Sequence, residues 1–165
     1  MMYAVIRVRG HGKIKRKALT TLSQLHLNRV NHMVLLPETE TSRRMLQVVK
    51  DYVTWGELSD DTAGRLVQSA MLLSGDRRIS DADMLKVTGR DVTSIAKELA
   101  EGRVSLKELH IKGVIRLHPP RHGWEAVKKD YATGGSLGYR GKEINPLIER
   151  MLPFGEVKAD GKQNE

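Results

Sequence analysis

The 165-residue chain contains no cysteine and a single phenylalanine, and aromatic residues make up only 4% of it. The first absence excludes a disulfide framework, a thiolate zinc site and a cysteine nucleophile. The second means that the core permitted by 39% apolar residues has to be packed from Leu, Val, Ile and Met. Long apolar runs are missing too. Met33–Pro37, "MVLLP", is far shorter than the ~20 residues of a membrane-spanning helix. Arg7 interrupts the start before a secretory signal can form, so a cytoplasmic protein is expected. The most informative absence is local: residues 1–29 hold seven Lys and Arg and no acidic residue.

Net charge is +8, and its excess falls in two blocks, residues 1–29 and 111–150, around a balanced middle. Concentrated blocks of one sign suggest a polyanion footprint, whereas even spreading suggests solubility alone.

Tyr3–Arg9 alternates Ala4, Ile6 and Val8 with Val5, Arg7 and Arg9, which predicts a strand with one apolar face and one face turning basic. Gly10 and Gly12 end it. Leu19, Leu22 and Leu25 then recur at helical spacing from Lys15 onward. Arg29–Pro37 reads as a second strand. A second helix carries Met45, Leu46, Val48 and Val49, with Thr41 or Ser42 as its cap. Tyr52–Leu58 reads as a third strand stopped by Gly56. Residues 1–58 are thus an α+β unit, a β-α-β-α-β core with two helices on one sheet face and the other face open.

Residues 59–113 form a helical middle segment. Ala63, Leu66, Val67, Ala70 and Met71 share one stripe, stopped by Gly75, and Val92, Ile95, Ala96 and Leu99 share another, ended by Gly102. Ser105 and Glu108 stand at capping-box spacing for a further short helix. Residues 114–155 comprise a short strand at Val114–Leu117, an extended, basic, glycine-rich arm and a last helix in "INPLIERML". Residues 156–165 read as a disordered tail.

Enzymatic motifs do not emerge. The glycines of "RGHGKIKRK" lack P-loop spacing, and Gly134, Gly135, Gly138 and Gly141 do not form a dinucleotide fingerprint. Pro119 and Pro120 deny His118 and His122 the helix that would align them as metal ligands. No cofactor or metal is expected. His11, His26, His32 and His110 are scattered and read as surface or RNA-contacting residues.

Nucleic acid fits better. Arg7, Arg9, Lys13, Lys15, Arg16 and Lys17 stand together, and each phosphate they neutralise releases counterions. Gly10 and Gly12 let backbone N–H groups approach phosphate, and the helix starting near Lys15 turns its positive end the same way. The second block mixes Arg121, Lys128, Lys129, Arg140 and Lys142 with Trp124, Tyr131 and Tyr139, a combination suited to RNA backbone contact and stacking. Trp124 and Tyr139 can equally anchor the arm to the core.

The order of these elements resembles a family. The "IRVRG" strand, basic turn, "LTTLSQLHL" helix, "NHMVLLP" strand, "MLQVVKDYV" helix and "WG" resemble the core of the large-subunit ribosomal protein called L-thirty, L-seven in eukaryotes. "HPPRHGW", "GGSLGYRG" and "INPLIERML" resemble the carboxyl-terminal part of its longer archaeal and eukaryotic members, and the compact length looks archaeal. The resemblance implies a ferredoxin-like core and a structural, non-enzymatic role in translation. It implies binding to large-subunit rRNA beside neighbouring ribosomal proteins, near 5S rRNA. By position, contacts are carried to Arg7, Arg9, His11, Lys13, Lys15, Arg16, Lys17, His32, Arg121, His122 and Trp124. A small-molecule-sensing ferredoxin-like domain, a non-ribosomal RNA-binding protein and an RNA-processing enzyme are the alternatives. A steep salt dependence of RNA binding separates the first of these from the ribosomal reading.

Overall fold

A computed structural model describes residues 1–10, 12–69, 86 and 89–153. β1 (Met2–Arg7) is the axis of the fold, and every residue in it is buried. Alternate side chains of β1 enter two different cores. Ala4 and Ile6 join the cluster with Met33 and Leu66, while Tyr3 and Val5 join the one with Leu22, Leu46 and Trp55. The expectation of one apolar and one basic face for this strand is therefore corrected: both faces are covered, as near-continuous apolar runs require.

β2 (His32–Pro37) and β3 (Val53–Glu57) flank β1 antiparallel to it, so β2 and β3 run the same way with β1 between them. α1 (Arg16–Gln24) and α2 (Glu40–Val49) lie on the Tyr3 and Val5 face. Along α1 and its C-cap Leu25 the buried stripe is Ala18, Leu22 and Leu25, whereas Leu19 is 44% exposed, so the 19-22-25 spacing includes one surface residue. α2 is capped by Thr39, whose hydroxyl accepts from the Ser42 N–H at 3.2 Å. The cap thus stands ahead of the expected Thr41 or Ser42.

The face that the first 58 residues leave open is closed by the rest of the chain. α3 (Asp60–Ser69) and α4 (Val92–Glu101) pack on it with Leu66, Val67, Ile95 and Leu99. Asp91 caps α4 at one end, and Gly102, at φ 78°, closes the other. Residues 106–110 form turns rather than the expected helix, yet they bury Leu106 and Leu109 in the same core. α5 (Ile144–Met151) completes it with Ile144, Leu147, Ile148 and Met151. Ala70, Met71 and Gly75, His11 and the 156–165 tail lie outside the described residues.

Three further strands extend the sheet to the order β4-β2-β1-β3-β6-β5. β4 (Val114–Arg116) pairs antiparallel with β2, His32 opposite Arg116. β6 (Gly135–Tyr139) pairs parallel with β3, and β5 (Ala126–Asp130) lies beside β6 in an irregular parallel register. The arm is thus partly sheet. Gly56 lies inside β3 rather than ending it. A β-carbon there would stand 1.9 Å from the Gly141 carbonyl oxygen, so a bare backbone is what lets the turn before α5 dock on the strand.

Candidate nucleic-acid interface

β1 ends, β2 and β3 begin, and β4 ends at the same end of the sheet, because Arg7 faces Val53 and His32 faces Arg116. β5 and β6 run parallel to β3, so β5 also begins there. β4 and β5 are the opposite edges of the sheet. The connection 117–125 must therefore cross its whole width, about 24 Å at five strand spacings, which about 30 Å of extended chain can span. The crossing is tied to the last turn of α5: His118 N–H donates to the Met151 carbonyl at 2.9 Å, and Arg121 N–H to that of Arg150 at 3.0 Å. Both basic blocks consequently reach one end of the sheet.

The basic turn leaves β1 under tight backbone control. Val8 and Arg9 N–H groups both donate to the Tyr52 carbonyl, at 2.9 and 3.1 Å. The Arg9 guanidinium lies 5.5 Å from the Tyr52 ring centroid and donates to the Asp51 carbonyl. Lys13 adopts φ 45°, turning the chain toward α1. Lys13, Lys15, Arg16 and Lys17 are exposed, and among the described residues no carboxylate forms an ion pair with them. The α1 N-terminus has no side-chain cap and no acidic residue in its first turn, so its unpaired N–H groups and positive dipole end add to the cations.

Two expected cations are elsewhere. Arg7 is 1% exposed. It shares the Tyr3 and Val5 face, where its Nε donates to the Arg9 carbonyl at 2.9 Å and its Nη1 to the Leu27 carbonyl at 2.6 Å. Burial lowers its pKa from the usual value. It ties β1 to the end of α1 and presents no charge to a phosphate. Arg140, 6% exposed, donates to Thr54 Oγ1 at 2.9 Å and to the Ser136 carbonyl at 3.1 Å, and lies 4.6 Å from the Tyr131 ring centroid. It pins β6 to β3. Both are withdrawn from the candidate surface.

Arg121 and His122 are exposed on the crossing, His122 at φ 67°. Trp124 is half-buried against the core, so it anchors the segment. Lys128 and Lys129 are exposed on β5, at the far edge from β4. Tyr139 is 52% exposed, but its hydroxyl donates to Glu57 at 2.5 Å, and that carboxylate raises its pKa to about 12. His32 is half-buried, and burial, followed by the charges of Arg116, Arg29 and Arg7, lowers its pKa. Arg116 escaped the sequence reading because a single Arg in a three-residue strand carries no pattern; only its pairing with His32 places it here. Among the described residues no cluster of His, Asp and Glu could hold a metal, and no helix is long and apolar enough to cross a membrane.

The family model described as Ribosomal protein L30p/L7e matches residues 3–53, the stretch from β1 to the start of β3. The chain is 46% identical to large ribosomal subunit protein uL30 of Thermoplasma volcanium, covering 98% of this chain and 99% of that protein. It is 44% identical to its counterpart from Methanosphaera stadtmanae, over 92% of this chain and all of the relative. A Methanococcus maripaludis counterpart is 41% identical over the same share of the chain. Identity of this level along nearly the whole length, together with the β-α-β-α-β core and its basic turn, places the chain in the ribosomal protein L30p/L7e (uL30) family.

Proposed function

We propose that the chain is a structural constituent of the large ribosomal subunit, not an enzyme, and that it binds and stabilises large-subunit rRNA in the cytoplasm. The observation that carries the reading is the uncompensated cationic turn at one sheet end. Arg9, Lys13, Lys15, Arg16 and Lys17 meet an uncapped α1 N-terminus there, with no described carboxylate paired to the exposed lysines or Arg16. Phosphate contact through such a turn is insensitive to base identity and reads the shape of a folded RNA. Arg121 and His122 on the crossing extend the footprint at the same end, with Lys128 and Lys129 marking its far edge. His11, within the turn, belongs to it by sequence. The finer reading sets the protein beside 5S rRNA and neighbouring ribosomal proteins.

Sedimentation tests the main statement. The chain should travel with large subunits at moderate salt, and its affinity for isolated large-subunit rRNA should fall steeply as salt rises. A chain that sediments free of subunits would overturn the reading. Reconstitution with and without 5S rRNA tests the finer one, since retention unchanged by the omission would remove 5S rRNA as a contact.

A further inference from the structure

Beside the basic turn, a cleft of about 360 Å³ opens between the α1–β2 connection and β4. His26, Asn28, His32, Lys112 and Arg116 line it, together with Gly113 and Val114, and among the described residues no carboxylate does. Arg7 donates to the Leu27 carbonyl beneath the connection, and the Asn31 N–H donates to the Arg7 carbonyl at 2.8 Å. His32, which lines the cleft, keeps its Nδ1 buried without a hydrogen-bond partner. A buried polar atom left unpaired calls for a partner, and at His32 the adjoining cleft has room for one.

We infer that this cleft receives one unstacked nucleotide of the bound RNA, its phosphate against Arg116 and Lys112 and its base or ribose edge against His32 and Asn28. The inference rests on the rRNA reading above and deepens it. The volume falls within the range of small-ligand pockets and is larger than a single carboxylate side chain requires. Base edges and the 2′-hydroxyl both donate and accept, so they satisfy an imidazole nitrogen in either tautomer, whereas a carboxylate from a neighbouring protein can only accept. Cations and neutral hydrogen-bonding groups together line the cleft, the combination that a nucleotide needs. The cleft also adjoins the end of the sheet where the basic turn leaves, so one RNA strand can engage both.

The test uses the full chain, deproteinised large-subunit rRNA and a Lys112→Ala/Arg116→Ala double variant, with circular dichroism verifying the fold. Arg116 is exposed and Lys112 is half-exposed, so the variant keeps its core. Filter binding should show affinity about tenfold weaker near physiological salt and a log–log salt slope shallower by about one unit. Ultraviolet crosslinking of the wild-type complex, read by mass spectrometry, should find a nucleotide adduct within residues 26–32 or 112–116. Wild-type affinity in the double variant, or adducts only on the basic turn, overturns the cleft while leaving rRNA binding standing. Loss of the variant from reconstituted subunits with rRNA affinity unchanged assigns the cleft to a protein neighbour and also overturns it. Absence of rRNA binding by the wild-type chain would overturn the functional reading itself.

Discussion

The carbonyl oxygen of Gly141 lies 1.9 Å from the position a β-carbon on Gly56 would take. The contact is backbone on backbone, so no rotamer change relieves it. Gly56→Ala should therefore push the 141–143 turn off β3, and with it Ile144 at the head of α5. Overpacking of this kind costs about 1–3 kcal/mol. Urea unfolding measures it, and an unchanged midpoint would mean that the turn docks by other contacts.

Arg7 and Lys15 separate folding from binding. Arg7→Ala removes a buried guanidinium and leaves the Leu27 and Arg9 carbonyls without their donor. Stability should fall by about 2–4 kcal/mol. The triple change Lys13→Ala, Lys15→Ala and Arg16→Ala should leave the urea midpoint nearly unmoved while weakening rRNA binding and flattening its salt slope. Paired urea titrations and binding isotherms would expose any reversal of these roles.

Three leucines test the core boundary. Leu22 and Leu46 are fully buried, so truncation of either to Ala should cost about 2–5 kcal/mol. Leu19 occupies the same helix as Leu22 but faces outward, and Leu19→Ala should stay within about 0.5 kcal/mol of wild type. Equal losses at 19 and 22 would place α1 in a different rotation.

His32 makes stability depend on pH in a defined direction. Its folded-state pKa lies below the ordinary 6.5, chiefly through burial. Below pH 6.5 the unfolded chain therefore binds more protons than the folded one, and stability declines as pH falls from 6.5 toward the folded value. His32→Asn should flatten that segment of the profile. Chemical denaturation between pH 7.5 and pH 5, about one to two units either side of the ordinary value, would record the difference, and identical profiles would assign the slope to other groups.

Local pattern carried much of this fold. The β-α-β-α-β order emerged from period-2 runs in β1, β2 and β3 and from helical stripes between them, because those segments are short and self-consistent. The arm resisted for a physical reason. β6 contains Gly135 and Gly138, which have little strand preference of their own. It exists because Thr54, 84 residues earlier, donates to the Gly138 carbonyl, and because Arg140 reaches back to Thr54. The site divided similarly. Lys13, Lys15, Arg16 and Lys17 were legible as exposed charge, being contiguous and without acids. Arg7 was not, since its buried partners are main-chain carbonyls, which every sequence contains and no motif reveals.

The two-sided burial of β1 has a consequence for synthesis. The cationic turn and its three strands are complete by residue 58, whereas the second face closes only when α5 arrives at residue 151. During that interval the nascent chain holds a finished RNA-seeking end in front of an incompletely covered sheet face bearing Ala4, Ile6 and Met33. Capture by RNA before the cover arrives would tether an adhesive intermediate to the growing particle. The timing of elongation through residues 59–151 thus sets how long the chain is exposed to misassociation.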